Sequence, residues 1–152
     1  GGIEETGSGA AKGTKVNIPL PAGCGDAEYA LVYEQIIVPA ASRFKPQLIL
    51  VSAGYDTHRA DEMALMQVSV KGFAQIIGTI RDLAGELCGG RLALTLEGGY
   101  NLVALSASVK ATFDVLLGNA VIDDPPGEPR GRNLPAPDIA PLVKSIKELH
   151  RL

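Results

Sequence analysis

Three observations predict an α/β fold with a parallel sheet. The run Leu48-Ile49-Leu50-Val51 carries no charge, is rich in branched residues and runs out at Gly54, the pattern of a strand buried in a parallel sheet. The run Arg91-Leu92-Ala93-Leu94-Thr95-Leu96 has the same grammar and gives way to Gly98-Gly99. Around both, apolar residues recur at helical spacing, so that strands and helices alternate along the chain. At 152 residues, 46% of them apolar, the chain is one domain's worth with enough material for a core. Strands this apolar need cover on both faces and neighbours on both sides, which predicts a piece of a larger sheet.

Taken in order, residues 1–14 are a glycine-rich loop, with Gly7, Gly9 and Gly13 inside it. Glycine at this density fits a loop, and it could also cradle a phosphate, although no strand precedes it. Lys15-Val16-Asn17-Ile18-Pro19-Leu20 is expected to be a short strand and Pro21–Gly25 a turn. Asp26 is the expected N-cap of a helix carrying Tyr29, Val32, Tyr33, Ile36, Ile37 and Ala40, loosened near its end by Pro39. After the strand at Leu48, Ser69 caps a helix with Phe73, Ile76, Ile77, Ile80, Leu83 and Leu87 on one face, stopped by Gly89-Gly90. The second apolar strand follows, then a helix from about Leu102 that ends at Gly118. Composition shifts at residue 119: a Pro-rich linker with polyproline character spans 119–137, and Asp138 caps a last helix, 138–152, expected to dock back on the domain.

Several classes are disfavoured. The net charge is −3 and there is no basic block, so there is no electrostatic footprint for nucleic acid. No apolar run approaches the ~20 residues that span a bilayer, so no membrane partner is expected. Cys24 and Cys88 lack metal-ligand spacing, and a reduced, cytoplasmic setting is expected. The chain opens Gly1-Gly2 without Met, as expected of a processed or excised start.

The chemistry concentrates behind the two strands. Ligands of open α/β sheets bind at the carboxyl ends of the strands, and the first strand is followed at once by Asp56, His58 and Asp61. Asp61 suits a divalent cation such as Zn²⁺; a helix cap or a surface carboxylate is the alternative. Asp56 and His58 form an Asp-x-His pair that could ligate a metal or could be hydrogen-bonded structural groups. Behind the second strand, Gly98 and Gly99 allow close backbone approach to a ligand, and Tyr100 could donate to a developing oxyanion or simply pack at a strand–helix turn.

Together, Val16-Asn17-Ile18-Pro19-Leu20-Pro21 with Gly25-Asp26, the stretch Ser52-Ala53-Gly54-Tyr55-Asp56 through to Asp61, Met66-Gln67-Val68-Ser69 with Gly72-Phe73, and Leu96-Glu97-Gly98-Gly99-Tyr100-Asn101 resemble the histone deacetylase family, most nearly its bacterial class II-like branch with the acetylpolyamine amidohydrolases. The resemblance runs from about Glu4 to Gly118. It implies a three-layer parallel sheet of arginase/deacetylase type, of which residues 1–118 would be the C-terminal part only, and Zn²⁺-dependent hydrolysis of acetyl-lysine or acetylpolyamine-type acetamides. Asp61 matches a zinc ligand of the family, Tyr100 the tyrosine that hydrogen-bonds the substrate carbonyl, and Gly98 and Gly99 the active-site turn; Asp56 and His58 are supporting residues. Where the family usually reads Asp-Pro, this chain reads Asp61-Glu62, which frees the backbone after the ligand. The family's paired histidines and its Asp-x-His ligands have no counterpart among the two histidines, His58 and His150. The chain alone is therefore expected to be inactive, to retain no zinc, and, with apolar strand edges open, to form a homo-oligomer. A non-catalytic α/β module with a vestigial site is the alternative from another class, and a nucleotide-binding domain resting on the glycine-rich start is a third.

Overall fold

A computed structural model describes residues 1–119, 122–124 and 134–152. Helix α1 spans Asp26–Val32 and leads through a π-helical stretch, Tyr33–Ile37, into α2, Val38–Phe44. Strand β1 is Ile49–Ala53, α3 Val70–Cys88, β2 Leu92–Leu96, α4 Leu102–Leu116 and α5 Ala140–His150. The two strands pair in parallel, from Ile49 opposite Leu92 to Ala53 opposite Leu96, with α3 as the crossover between them. Among the described residues no helix is long and apolar enough to cross a membrane.

One face of this sheet is covered. Ile49, Val51, Leu92 and Leu94 pack against Val70, Ala74, Ile77 and Ile80 of α3 and Ala111 and Val115 of α4. The opposite face carries Leu50, 72% exposed, beside exposed Ala93 and Thr95. Side chains alternate across a strand, so apolar runs that could serve two covered faces here serve one. A second core joins Cys24, Val32 and Ile36 to Ile139, Val143 and Ile146, so α5 does dock back, on α1 and the π-helical stretch. Both cysteines are free and buried.

Two local expectations are corrected. The first predicted strand does not form: Val16–Leu20 has no ladder partner among the described residues. Pro19 and Pro21 lack the N–H a ladder needs, and Leu20 N–H turns back to Ile18 O at 2.9 Å. Val16, Ile18 and Leu20 instead pack on the core of α1 and α5. Asp26 is not the cap of α1. Gly25 holds that position, its N–H bonded to Glu28 Oε2 at 2.8 Å. The Asp26 carboxylate accepts from Ser69 N (2.7 Å) and Ser69 Oγ (2.5 Å) across the fold. Pro39 loosens the helix as expected: it lies in the later part of the continuous helical run over 26–44, in the first turn of α2. It cannot donate to the carbonyl four residues before it, and the turns preceding it widen, with Val38 N–H reaching Tyr33 O. The middle of the polyproline linker, 125–133, lies outside the described residues.

The caps of α3 are as expected: Ser69 Oγ accepts from Gly72 N at 3.0 Å, and Gly89 closes the helix in the left-handed region at φ 61°. Asp138 Oδ1 accepts from Ala140 N at 2.9 Å, one residue ahead of the formal cap of α5.

Two glycines of α3 should respond oppositely to alanine. A Cβ on Gly72 would sit 2.0 Å from Asp26 Oδ1 and break the Asp26–Ser69 junction, whereas one on exposed Gly85 meets nothing within 4 Å. Gly85→Ala is expected to stabilise by about 0.5–1 kcal/mol through helix propensity. Gly72→Ala is expected to destabilise despite the same propensity gain. Urea unfolding of both variants checks the pair of signs.

Candidate active site

Because β1 and β2 are parallel and in register, their carboxyl ends share one edge. The pairing continues past the strands through Glu97 N–H to Ala53 O (3.0 Å) and Tyr55 N–H to Gly98 O (2.9 Å). The loop after β1 is thereby held against the turn after β2, and the two predicted site segments meet.

Their junction is Asp61. It is buried, and its Oδ2 accepts from the backbone N–H of Tyr100 (2.6 Å) and Asn101 (2.9 Å), residues 39 and 40 positions away. Oδ1 accepts from Met63 N at 3.0 Å. Burial pushes the carboxyl upward, but the three amides, from Met63, Asn101 and Tyr100, outweigh it and hold Asp61 below its ordinary range, with a smaller contribution from His58. Asp61 is thus an anion at neutral pH, neither a helix cap nor a surface group. The Met63 bond also answers the loss of proline after Asp61: an Asx turn restrains the backbone that Glu62 leaves free.

Tyr100 bonds Asp61 through its amide, and the residue is 62% exposed at the strand edge. The glycines before it serve internal packing. A Cβ on Gly98 would meet the Asp56 carboxylate at 2.6 Å, and one on Gly99, at φ 140°, would meet Leu105 Cδ1 at 2.8 Å and Tyr55 Cβ at 3.3 Å. The turn is therefore pressed onto the loop below it, and that close approach fixes where Tyr100 emerges.

His58 is wholly buried and stacks on Phe73, ring centroids 6.3 Å apart and 9° from parallel. Its Nδ1 accepts from Ala60 N at 3.0 Å, which places the neutral ring's proton on Nε2. Burial holds its pKa below the ordinary histidine value, against the pull of Asp124, Asp26 and Asp61. With one nitrogen committed and the ring enclosed, His58 is a core group supporting the loop. Asp56 lies against Gly54 and Gly98, also beneath the turn.

Two residues absent from the sequence-based site complete it. Asn101 caps α4, its Oδ1 accepting from Ala104 N at 3.0 Å, and its Nδ2 donates to Ala60 O at 2.8 Å. An Asn before an apolar periodic run was the available signal. Tyr55 OH pairs with Thr112 Oγ1 at 2.8 Å inside the core and tilts on Phe73, centroids 5.1 Å apart, joining the loop to α3 and α4; no motif marks that pair.

A zinc ion needs three or four protein ligands. Among the described residues no three His, Cys, Asp or Glu side chains cluster to hold one. Three of the roughly four lone-pair directions of the Asp61 carboxylate are already used, so Asp61 offers one ligand and the described residues do not by themselves make a zinc site.

The model of the histone deacetylase domain matches residues 1–116. The chain belongs to the histone deacetylase family. It is 48% identical over 129 residues to Histone deacetylase 10, chloroplastic, of Oryza sativa subsp. japonica, covering 82% of this chain and 29% of that protein. It is 50% identical over 118 residues to Histone deacetylase 14, chloroplastic, of Arabidopsis thaliana, covering 78% and 28%. The crystal structure of the HDA15 HD domain superposes with a TM-score of 0.81 at 32% identity, covering 99% of this chain and 38% of that one. The fold is therefore that of histone deacetylase domains, the arginase/deacetylase α/β type, and the chain spans less than a third of the length of the two curated relatives.

Within the family fold, the role of Asp61 as a structural node is testable. Asp61→Ala leaves the part-buried Tyr100 and Asn101 amides without their acceptor, and each hydrogen bond to a charged group is worth about 1.5–3 kcal/mol. A loss of about 2–4 kcal/mol in unfolding free energy is expected. Asp61→Asn, which keeps one oxygen for those amides, should lose less. Urea titration of the three proteins gives the ranking.

Proposed function

We propose that this chain contributes the Asp61–Tyr100 side of a zinc-dependent deacetylase site that hydrolyses acetamides of the acetyl-lysine or acetylpolyamine type. The observation that carries the reading is the junction itself: one buried anionic carboxylate binds the amide of the tyrosine that stands exposed at the same sheet edge. In this reading Asp61 is one metal ligand, and the further ligands and the general base come from length of the domain that the relatives have and this chain does not span. A zinc ion held by Asp61 and those further ligands would supply Lewis-acid polarisation of the acetamide carbonyl and a water nucleophile. The Tyr100 hydroxyl donates a hydrogen bond to the carbonyl oxygen as it gains charge. Gly98 and Gly99 hold the hydroxyl's approach, and buried His58 and Asp56 keep the loop in place. Placement in the bacterial class II-like branch rests on the motif resemblance, and a cytoplasmic setting on the free cysteines.

In a protein carrying the complete domain, Tyr100→Phe is expected to lower kcat by ~10²–10³ with KM little changed, as for loss of one oxyanion donor. Assays on an acetyl-lysine peptide and an acetylpolyamine measure this and rank the substrates. Unaltered kcat on both excludes the role. The chain assayed alone is expected to hydrolyse neither substrate.

A non-catalytic module is favoured by a different observation, the bare sheet face at Leu50, Ala93 and Thr95. A sheet face left uncovered with an exposed leucine on it promotes association. Sedimentation across a concentration series should show self-association of the chain, and a single monomeric species at high concentration excludes it.

A further inference from the structure

Residues 122–124 lie beyond the stretch matched by the family model, which ends at residue 116, yet they pack beside the candidate site. Ile122 packs on the core between the sheet, α3 and α4. Two residues on, Asp124 Oδ2 accepts from Arg59 Nη2 at 2.9 Å, across 65 residues of sequence. The pair is mostly enclosed, with side chains 20% and 15% exposed. It is joined end-on by one contact; Arg59 Nε and Asp124 Oδ1 are buried without partners among the described residues. An ion pair buried in this way is costly to break, because removing one partner strands the other's charge.

Arg59 is also the centre of the ligand loop. Its N–H donates to Val68 O (2.9 Å), His58 beside it accepts from Ala60 N, and Ala60 O accepts from Asn101 Nδ2. Asp61 follows two residues later. The backbone bonds fix the loop toward α3 and α4, while the Arg59 side chain is what ties it to residues 122–124. We propose that Arg59 and Asp124 form a clasp through which residues 122–124 position Asp61 and the Tyr100 turn. Both are positioning residues, and their relation to catalysis rests on the deacetylase reading above.

Amide hydrogen exchange of this chain tests the clasp without reference to activity. Asp124→Ala is expected to speed exchange at Tyr100 and Asn101, the two amides held by Asp61, by about tenfold, as for loss of a hydrogen bond to a charged group. Amides of α5 and β2 should be unchanged. Asp124→Asn, which keeps an acceptor for Arg59, should restore part of the protection. Lys110→Ala, which breaks the exposed Lys110–Asp114 pair, should leave both amides as they were. If Asp124→Ala loosens the whole chain, Arg59→Lys, which keeps the cation, replaces it, with a smaller local effect expected. Unchanged Tyr100 and Asn101 exchange in Asp124→Ala, or uniform exchange changes in Arg59→Lys as well, overturns the clasp. In a protein with the complete domain, Asp124→Ala should lower kcat more than it raises KM. If Tyr100→Phe has no effect while the local exchange change persists, the deacetylase reading fails and the clasp stands.

Discussion

A single carboxylate organises the working edge of this protein. Asp61 Oδ2 takes the consecutive amides of Tyr100 and Asn101, and Oδ1 takes that of Met63, so one side chain closes its own loop and captures the turn behind the other strand. The arrangement requires an anion in a buried place, and three amide dipoles make that tolerable where burial alone would neutralise it. It also depends on register: a slip of one residue between β1 and β2 would carry Tyr100 away from Asp61 and turn the covered side chains of the slipped strand outward.

The layer beneath the edge is built by close approach. Gly98 and Gly99 leave no room for a Cβ above Asp56, Tyr55 and Leu105, and Gly72 leaves none beside Asp26. Through Gly72 and Ser69 the start of α1 is pinned to the start of α3, and Phe73, one residue on, carries both His58 and Tyr55. The helix that crosses between the strands thus also supports the loop that bears Asp61. In most helices a glycine only costs stability; here its missing side chain is the contact surface.

The ends of the chain converge on the other core. Val16, Ile18 and Leu20 pack with α1, the π-helical stretch and α5, and Gly23, at φ 91°, lies where a Cβ would be 2.7 Å from Pro135 O. The residues that follow the family-matched stretch are therefore integral to the packing: Ile139, Val143 and Ile146 supply half of that cluster's buried side chains.

Periodicity and punctuation in the sequence determined the two strands, α3, α4 and α5 and their order, because each is a local choice between alternation, helical spacing and a breaker. The resemblance to the family rested instead on motifs in order, and two residues of those motifs, Asp61 and Tyr100, are joined in the fold through the Tyr100 amide. Tertiary structure alone decided the rest. Val16–Leu20 looked like a strand, but a strand exists only if another backbone pairs with it, and two prolines and the surface of α1 gave it a different use. Asp26 looked like a cap, but its carboxylate found a better set of donors at Ser69. His58 looked available to a metal until burial against Phe73 and the Ala60 amide committed it. The Arg59–Asp124 and Tyr55–Thr112 contacts carry no local signal, because each joins residues more than fifty positions apart. Sequence fixes what a residue can offer; which partner takes the offer depends on distances that exist only once the chain has folded.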